Sequence, residues 1–460
     1  MVRDLLIVFS NNTISLISGL IISLGLPKIL SMEDYSDYKI FMLYLSYIGL
    51  FHFGLIDGVV VKFAGKTETE TGLKMYRSIT RLLVRIETMA AILILIIVLV
   101  ATRGEYKFLG IVVAFDIIVH NLLSYYRSIM QITMRYKAYT ITGVYGNIFR
   151  LFGIFLLFIM EKLNCASCNI YIMIYMFGEI AQLIFCVLLC KGITFGEKLN
   201  IREVKPVIME IFKTGTPLLV AGIISTFILN LDRQFVSILF QKKDYAIYSF
   251  SYSIMNIILT LISAMSVVLY PAIKVKKQKE LGRYYEDFIC ILSLFVFSCF
   301  VFIPILNIFI EWFLPDYKYS FDILRVIFPV VVSLAIMQIV VINFYKTIEI
   351  TRTYLVISIT VFGISFLLNY IGYFFLKSME AIAVATVLSC YIWFFISDRI
   401  IKSRIGTKSY GAYYCLVMTV IYYISYFLLW NINWLLGICS YVLFLGIIGY
   451  LIMKIQIVNR

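Results

Sequence analysis

Residues 82–101, with the sequence LLVRIETMAAILILIIVLVA, form an apolar stretch as long as a helix that crosses a lipid bilayer. Such a helix needs roughly 20 apolar residues, because each residue adds about 1.5 Å across a hydrocarbon layer about 30 Å thick. The whole chain shares this composition: 62% of its 460 residues are hydrophobic and only 14% are charged. A soluble protein keeps about a quarter of its residues charged, since its surface must be hydrated. The sequence therefore predicts an all-α polytopic membrane protein.

Fourteen apolar runs of this kind follow one another, each ending at charged residues or proline, and we expect each to be a transmembrane helix. They span residues 5–26, 40–61, 82–101, 108–126, 139–160, 170–190, 215–238, 245–270, 288–310, 325–345, 353–376, 379–398, 411–430 and 434–453. Most of the 40 Lys and Arg residues fall on the side of these runs that holds both termini. Because short loops rich in cations stay in the cytoplasm, the sequence predicts that both termini are cytoplasmic.

A short motif indicates an internal repeat. The sequence DYSDY at 34–38 returns as DYAIY at 244–248, and both motifs follow an odd-numbered apolar run. The same offset aligns the basic loops after the second and the eighth runs. Chance recurrence in a chain with 34 Tyr is the alternative explanation. We expect two six-helix bundles in the same orientation, followed by two further helices, with the domain bounds 1–190, 191–213 (a cytoplasmic linker), 214–400 and 401–460.

Further short motifs are distributed along the whole chain. They are Asn12 and Gly19, Tyr35 with Tyr38, Gly54-Leu55, Lys213-Thr-Gly-Thr-Pro217-Leu218, Asp232-Arg233 and Ala246-Ile-Tyr248-Ser249. Together they resemble the polysaccharide transport family of the multidrug/oligosaccharidyl-lipid/polysaccharide exporter superfamily. The resemblance implies a flippase in the bacterial plasma (inner) membrane. Such a flippase moves undecaprenyl-pyrophosphate-linked O-antigen, capsule or exopolysaccharide repeat units to the outer leaflet by alternating access.

Ionised side chains inside the apolar runs are the first candidates for function. Each costs roughly 2.5 to 3.5 kcal/mol at the bilayer centre, so it normally faces a cavity or a partner. Arg150 and Glu179 lie at similar depths in antiparallel runs, where they are expected to form either a structural bridge or a cavity cation with a titratable competitor. Asp116 and His120 are one helical turn apart and share a face. We favour a hydrogen-bonded tether between helices for this pair and retain proton coupling as the alternative.

Asp232 and Arg233 are adjacent in the seventh run, so their side chains point about 100° apart around the helix. An Arg side chain offers a planar set of donors to phosphate oxygens and stays charged in apolar surroundings. We therefore expect Arg233 first, and Arg150 second, to bind the substrate phosphate. Polar side chains expected to contact phosphate or sugar groups, or else to bridge helices, are Asn147, Asn230 and Gln338. The candidates for ion coupling are Asp116, His120, Glu179 and Asp232, with a local salt bridge as the alternative for Asp232.

Two other functions remain open at this point. A multidrug extrusion antiporter shares the expected architecture, but its cationic substrates call for a cavity lined by carboxylates. A membrane-embedded glycan polymerase would need a sizeable outer loop with catalytic residues, and the outer loops here are short. With 2 His and no H-E-x-x-H, P-loop or G-x-S-x-G motif, we expect neither an enzyme nor a metal or cofactor site. The expected partners are a lipid-linked oligosaccharide, membrane lipids and a glycan polymerase or chain-length regulator, and not nucleic acid.

Overall fold

The computed structural model describes residues 2–64, 72–263, 278–348, 350–407 and 410–458. These ranges consist of helices joined by short loops and contain no β-strand. The helices up to residue 263 are α1 (Val2–Ile29), α2 (Met32–Leu45), α3 (Leu55–Phe63), α4 (Leu73–Ala101), α5 (Glu105–Ile132), α6 (Tyr136–Lys162), α7 (Cys168–Leu189), α8 (Lys191–Thr194), α9 (Ile201–Leu239) and α10 (Lys242–Ser263). Those that follow are α11 (Gln278–Cys299), α12 (Ile303–Phe313), α13 (Ser320–Ile327), α14 (Pro329–Ile336), α15 (Ile342–Thr347), α16 (Thr351–Leu376), α17 (Met379–Ile405), α18 (Gly411–Tyr423), α19 (Trp430–Ile432) and α20 (Trp434–Val458).

The helices confirm an all-α polytopic membrane protein. Within the described ranges, 11 helices are long and apolar enough to cross a membrane, or up to 12 when the pair Met32–His52 and Leu55–Phe63, bent by 61°, counts as one span. Every predicted run overlaps a helix. However, the side chains of α1 are described only from Thr13 onward, and the eighth run continues past Ser263 to residues outside the described part. The count of fourteen spans and the internal repeat therefore stay predictions.

The first of two compact units comprises Met1–Asn230 and Gln241–Ala246. Helix α5 lies at its centre and packs against α2, α3, α4, α6 and α7, while α1 packs along α6. A buried apolar cluster, which includes Tyr76, Tyr125 and Ile129, fills the space where these helices meet. The buried polar side chains of α5, which include Asp116 and Asn121, therefore face other helices.

Helices α3 and α9 cross within this unit at three glycines. Gly54, at the bend before α3, has a φ of 87°, which favours glycine because a Cβ strains this conformation. A Cβ on Gly215 would lie 1.9 Å from the carbonyl oxygen of Gly54, and a Cβ on Gly58 would lie 2.1 Å from that of Ile211. No side chain fits at these positions, so the motifs that contain Gly54 and Gly215 set the crossing.

Helix α9 begins earlier than the apolar run 215–238 indicated. It starts at Ile201, and both Pro206 and Pro217 lie inside it. A proline removes one backbone donor, but a membrane helix tolerates this where neighbouring helices and Thr or Ser hydroxyls satisfy the freed groups. Much of the predicted linker 191–213 is therefore helical and continuous with the membrane segment.

The second unit comprises Leu231–Phe240 and Ile247–Arg460. Its central helix is α17, which packs against α11, α13, α14, α16 and α18. Two π-helical turns, Met337–Val341 and Ile424–Leu429, interrupt the helical segments of this unit. Such turns often mark functional positions, because they shift the side chains that follow around the helix.

Candidate functional site

Four of the predicted residues meet in the first unit and form what we name the α5–α7 polar cluster. Asp116 and His120 lie on α5, Arg150 on α6 and Glu179 on α7. The Nη2 atom of Arg150 donates to Oε1 of Glu179 at 2.9 Å, so the expected ion pair is present. The Nδ1 atom of His120 lies 3.4 Å from Oε2 of the same carboxylate. The buried Glu179 therefore joins α5 to α6.

Asp116 does not form a hydrogen bond to His120. Asp116 is fully buried, and neither of its carboxylate oxygens has a hydrogen-bond partner among the described residues. The four-residue spacing places both side chains on one face of α5, but it does not fix where the imidazole points. The imidazole faces α7, so a contact between helices of the expected kind is present between His120 and Glu179, and Asp116 takes no part in it.

The charges of the α5–α7 polar cluster do not balance. With both carboxylates ionised and His120 neutral, the two negative charges exceed the one positive charge of Arg150. Removing an unpaired charge from water costs several kcal/mol. One proton, bound at Asp116 or His120, makes the cluster neutral. The cluster can therefore hold one exchangeable proton. Its two protonation states differ only in whether that proton is bound.

A small pocket of about 130 Å³ lies beside Arg150. Asn147 and Arg127 also line it, and Asn147 donates to the Ser15 hydroxyl at 2.9 Å, which connects α6 to α1. It has room for an ion, several waters or a phosphate oxygen.

The second unit places Asp232 and Arg233 in a different environment. The Tyr248 hydroxyl donates to Oδ2 of the fully buried Asp232 at 2.8 Å, and the Tyr252 hydroxyl contacts the same oxygen. The backbone N–H of Arg233 donates to Oδ1 at 2.7 Å. The Arg233 guanidinium lies 4.7 Å from the centre of the Tyr252 ring, a cation–π distance. Both carboxylate oxygens of Asp232 are thus satisfied, and the guanidinium rests on an aromatic face.

The remaining sugar candidates lie elsewhere. Asn230 donates to the Ser46 hydroxyl at 2.8 Å, within the first unit. Gln338 is half-buried and belongs to the π-helical turn Met337–Val341 of the second unit. The structure therefore brings Asn147 and Arg150 to one pocket and does not bring Asn230 to it. The functional roles of all these residues stay predictions.

Sequence reasoning missed several polar side chains at membrane depth. Glu87, inside the run 82–101, is fully buried and accepts a hydrogen bond from Asn121 at 2.9 Å. Asp398, at the end of the run 379–398, is buried and pairs with Lys402 one turn along α17. The available signal was the acidic residue within or at the end of an apolar run. Among the side chains that the structure describes, no group of three His, Cys, Asp or Glu could hold a metal ion.

Comparison with known proteins gives one family match. The family described as "Polysaccharide biosynthesis protein" matches residues 27–316, more than half of the chain. No curated protein matches the sequence. The family resemblance carried by the short motifs is confirmed by this match and by the solved structures.

The solved structures that resemble this chain include a lipid II flippase and MOP superfamily transporters. The lipid II flippase MurJ in an inward closed conformation is 17% identical, with a TM-score of 0.71 over 98% of this chain and 100% of that chain. An inward-facing multidrug resistance MATE family transporter of the MOP superfamily is 13% identical, with a TM-score of 0.67 over 86% and 94%. A MOP superfamily transporter from Pyrococcus furiosus is 11% identical, with a TM-score of 0.52 over 86% and 94%. At these identities the likeness establishes a shared fold.

Proposed function

This chain belongs to the polysaccharide biosynthesis protein family, and we propose that it is a flippase for undecaprenyl-pyrophosphate-linked oligosaccharide repeat units. The observation that carries the proposal is Arg150, a membrane-depth cation beside a polar pocket, in a chain whose fold resembles a lipid II flippase over 98% of its length. A guanidinium at this depth suits the pyrophosphate, which is the only part of such a substrate that is always anionic. The proposed activity is translocation without covalent chemistry.

The α5–α7 polar cluster supplies the proposed exchange of partners. Arg150 is bound to Glu179 through Nη2 in this structure, and in the proposed exchange a pyrophosphate oxygen takes the place of that carboxylate. Glu179 already has a second partner in His120, which can hold the carboxylate once Arg150 releases it. A proton at His120 strengthens this second contact. Proton uptake at His120 is thereby linked to binding of the pyrophosphate at Arg150, and this linkage is the proposed form of ion coupling.

We further propose the architecture in which this exchange works. It has 14 transmembrane helices, two six-helix bundles at 1–190 and 214–400 that alternate in access, a linker at 191–213 and two added helices in 401–460. The overlap of every predicted run with a helix supports the span count. Both termini would lie in the cytoplasm of a bacterial cell, with the chain in the inner membrane and a glycan polymerase or chain-length regulator as partner.

The experiment is deletion of the gene in its native host, followed by analysis of lipid-linked glycans in each leaflet. We expect the deletion to leave one lipid-linked oligosaccharide on the cytoplasmic leaflet and the wild-type gene to restore export. Arg150→Gln should fail to restore it, whereas Lys137→Gln, which removes an exposed cation, should succeed. Export restored in full by Arg150→Gln at normal protein level would remove Arg150 from the proposal. Absence of any glycan phenotype in the deletion strain would overturn the flippase assignment.

One observation favours a second function, the extrusion of cationic drugs. Asp116 is a buried carboxylate without a hydrogen-bond partner among the described residues, and the fold also resembles a multidrug MATE transporter. A carboxylate of this kind attracts a cation. The deletion strain separates the two functions: increased sensitivity to cationic dyes with normal glycan export would support extrusion, and the reverse result would support the flippase.

A further inference from the structure

A second and larger pocket, of about 910 Å³, lies in the first unit between the beginnings of α4 and α9. We name it the α4–α9 pocket. Its cationic residues are Arg81, Arg85, Lys198, Arg202 and Lys205. Its apolar residues include Leu82, Ile208 and Phe212. The pocket therefore has one strongly basic side and one hydrocarbon side, and none of its residues belongs to the α5–α7 polar cluster.

The positive charge of the α4–α9 pocket is not neutralised by the protein. Glu203 is the one acidic residue among those that line it, against five cations. No ion pair involves any of the five within the described ranges, although ion pairs form close by, between Lys74 and Glu197 and between Lys62 and Glu210. Like charges held this close repel one another, so an anionic ligand would be attracted to the pocket.

One wall of the pocket is the loop between α8 and α9, residues 195–200, which hydrogen bonds hold in place. Arg77 donates from Nε to the carbonyl oxygen of Gly192 at 2.8 Å and from Nη1 to that of Glu197 at 3.2 Å. Arg81 donates to the carbonyl oxygen of Gly196 at 3.2 Å. Gly196 has a φ of 120°, and a Cβ there would lie 2.7 Å from the Arg77 guanidinium carbon. The hydrogen bonds and the close approach hold the loop against α4.

The loop is also anchored by its own charges. Lys74 donates to Glu197 at 2.9 Å, and this hydrogen bond lowers the pKa of the Glu197 carboxyl below its ordinary value. The backbone N–H of Leu199 donates to the Ser78 hydroxyl at 3.1 Å. Glu197 thus pairs with Lys74, and the neighbouring Lys198 lines the pocket. The basic side has a defined shape as well as a charge.

The position of the pocket along the helices matches the border between water and lipid. Arg81 and Arg85 lie at the start of the apolar run 82–101, one helical turn apart. Met209 also lines the pocket and leaves 62% of its surface uncovered just before the apolar run 215–238 begins. A lipid whose headgroup contacts the cations would therefore have its chains beside apolar side chains.

We propose that the α4–α9 pocket binds the phosphate headgroup of an anionic membrane lipid. Arg81 and Arg85 present neighbouring guanidinium groups to the phosphate oxygens, while Lys198 and Lys205 add charge from the loop and α9. The hydrocarbon chains of the lipid lie along Leu82. Basic pockets of this kind at the cytoplasmic border recognise phosphate-bearing headgroups by charge. The inference does not require the proposed transport activity, since a lipid can bind there whether or not the protein moves a glycan.

The test is native mass spectrometry of the purified full-length chain, with defined lipids added in detergent. The probes are phosphatidylglycerol, phosphatidylcholine, undecaprenyl phosphate and inorganic pyrophosphate. The informative variant is Arg85→Glu with Lys205→Glu, which leaves the Arg77 and Arg81 hydrogen bonds to the loop in place. The matched control is Lys137→Glu with Lys191→Glu, an equal change of charge at exposed residues outside the pocket. Circular dichroism and thermal unfolding of each variant establish that it folds.

We expect the wild type and the control to retain an anionic lipid in preference to phosphatidylcholine. The pocket variant should bind it about thirty-fold more weakly, because it loses two basic residues and each contributes about 1 kcal/mol near a headgroup. Preference for phosphatidylglycerol would identify a bilayer phospholipid as the ligand. Preference for undecaprenyl phosphate alone would identify the carrier lipid, and competition by pyrophosphate would show that the headgroup suffices. Equal retention of phosphatidylcholine, or anionic binding unchanged in the folded pocket variant, would overturn the proposal.

Discussion

The two membrane-depth arginines of this protein have contrasting surroundings. Arg150, in the first unit, binds Glu179 from another helix, and that carboxylate is shared with His120. Arg233, in the second unit, follows an aspartate whose oxygens accept from two tyrosine hydroxyls and a backbone N–H. The first carboxylate lies between a guanidinium and an imidazole and can exchange one for the other. The second is held by neutral donors within two consecutive helices.

This difference indicates that Glu179 exchanges partners during transport, whereas Asp232 and its donors maintain the structure. A carboxylate satisfied by neutral hydroxyls and backbone loses little when a distant charge changes. A carboxylate between a guanidinium and an imidazole changes partner when the imidazole gains a proton. The unpartnered Asp116 beside it adds a second position for that proton. We therefore expect substitutions in the first cluster to affect transport, and those around Asp232 to affect mainly stability.

Arg150→Glu should have the largest effect, because it places three carboxylates where the wild type has two and one guanidinium. Breaking a buried pair in this way costs about 3 to 5 kcal/mol. We expect loss of glycan export and a clearly lower unfolding temperature in detergent. The exchanged pair Arg150→Glu with Glu179→Arg is the control and should recover part of the stability. An unchanged unfolding temperature in the single variant would mean that the pair contributes no stability.

Asp232→Asn should have an intermediate effect, mainly on stability. The amide keeps one acceptor oxygen but brings an N–H₂ group against groups that are donors, at a cost of about 1 to 3 kcal/mol. Tyr252→Phe removes one donor and should cost less. Thermal unfolding measures both, and glycan export should stay near the wild-type level in each. Export lost in a folded Asp232→Asn protein would instead place ion coupling in the second unit.

Asp116→Asn should have the smallest effect on stability, since it removes a buried carboxylate that accepts no hydrogen bond from the described residues. We expect the unfolding free energy to change by less than about 1 kcal/mol or to rise. Its effect should appear in the response to pH: transport by the variant should depend less on an imposed proton gradient than transport by the wild type. Gln182→Asn, at the pocket but outside the charged cluster, is the control. An identical gradient response in Asp116→Asn would assign the proton to His120 alone.

Much of the fold follows from the length of the apolar runs, since only a helix satisfies its backbone groups in lipid. The run 82–101 alone predicts a span, and the structure has α4 there. The bend between residues 52 and 55 was not predicted, because it depends on Gly54 meeting the backbone of α9. The early start of α9 was not predicted either, because Pro217 ordinarily indicates a helix beginning rather than an interior position.

The candidate site was predictable in composition and partly in pairing. Depth along antiparallel helices was enough to pair Arg150 with Glu179. It was not enough for His120, because sequence spacing fixes the face of α5 and not which neighbouring helix that face contacts. Glu87 was missed because it lies within six residues of the start of its run, where a charged side chain is ordinarily expected to reach water. Its burial depends on Asn121 of α5.

The most direct test of the central claim is translocation of a lipid-linked oligosaccharide by the purified protein in proteoliposomes. The glycan that reaches the opposite leaflet is counted with an impermeant lectin, and Arg150→Gln and Lys137→Gln are reconstituted at matched amounts. The account predicts translocation by the wild type and by Lys137→Gln, and none above protein-free vesicles by Arg150→Gln. Wild-type protein that moves no oligosaccharide in host-derived lipid, or Arg150→Gln that moves it at the wild-type rate, would contradict the account.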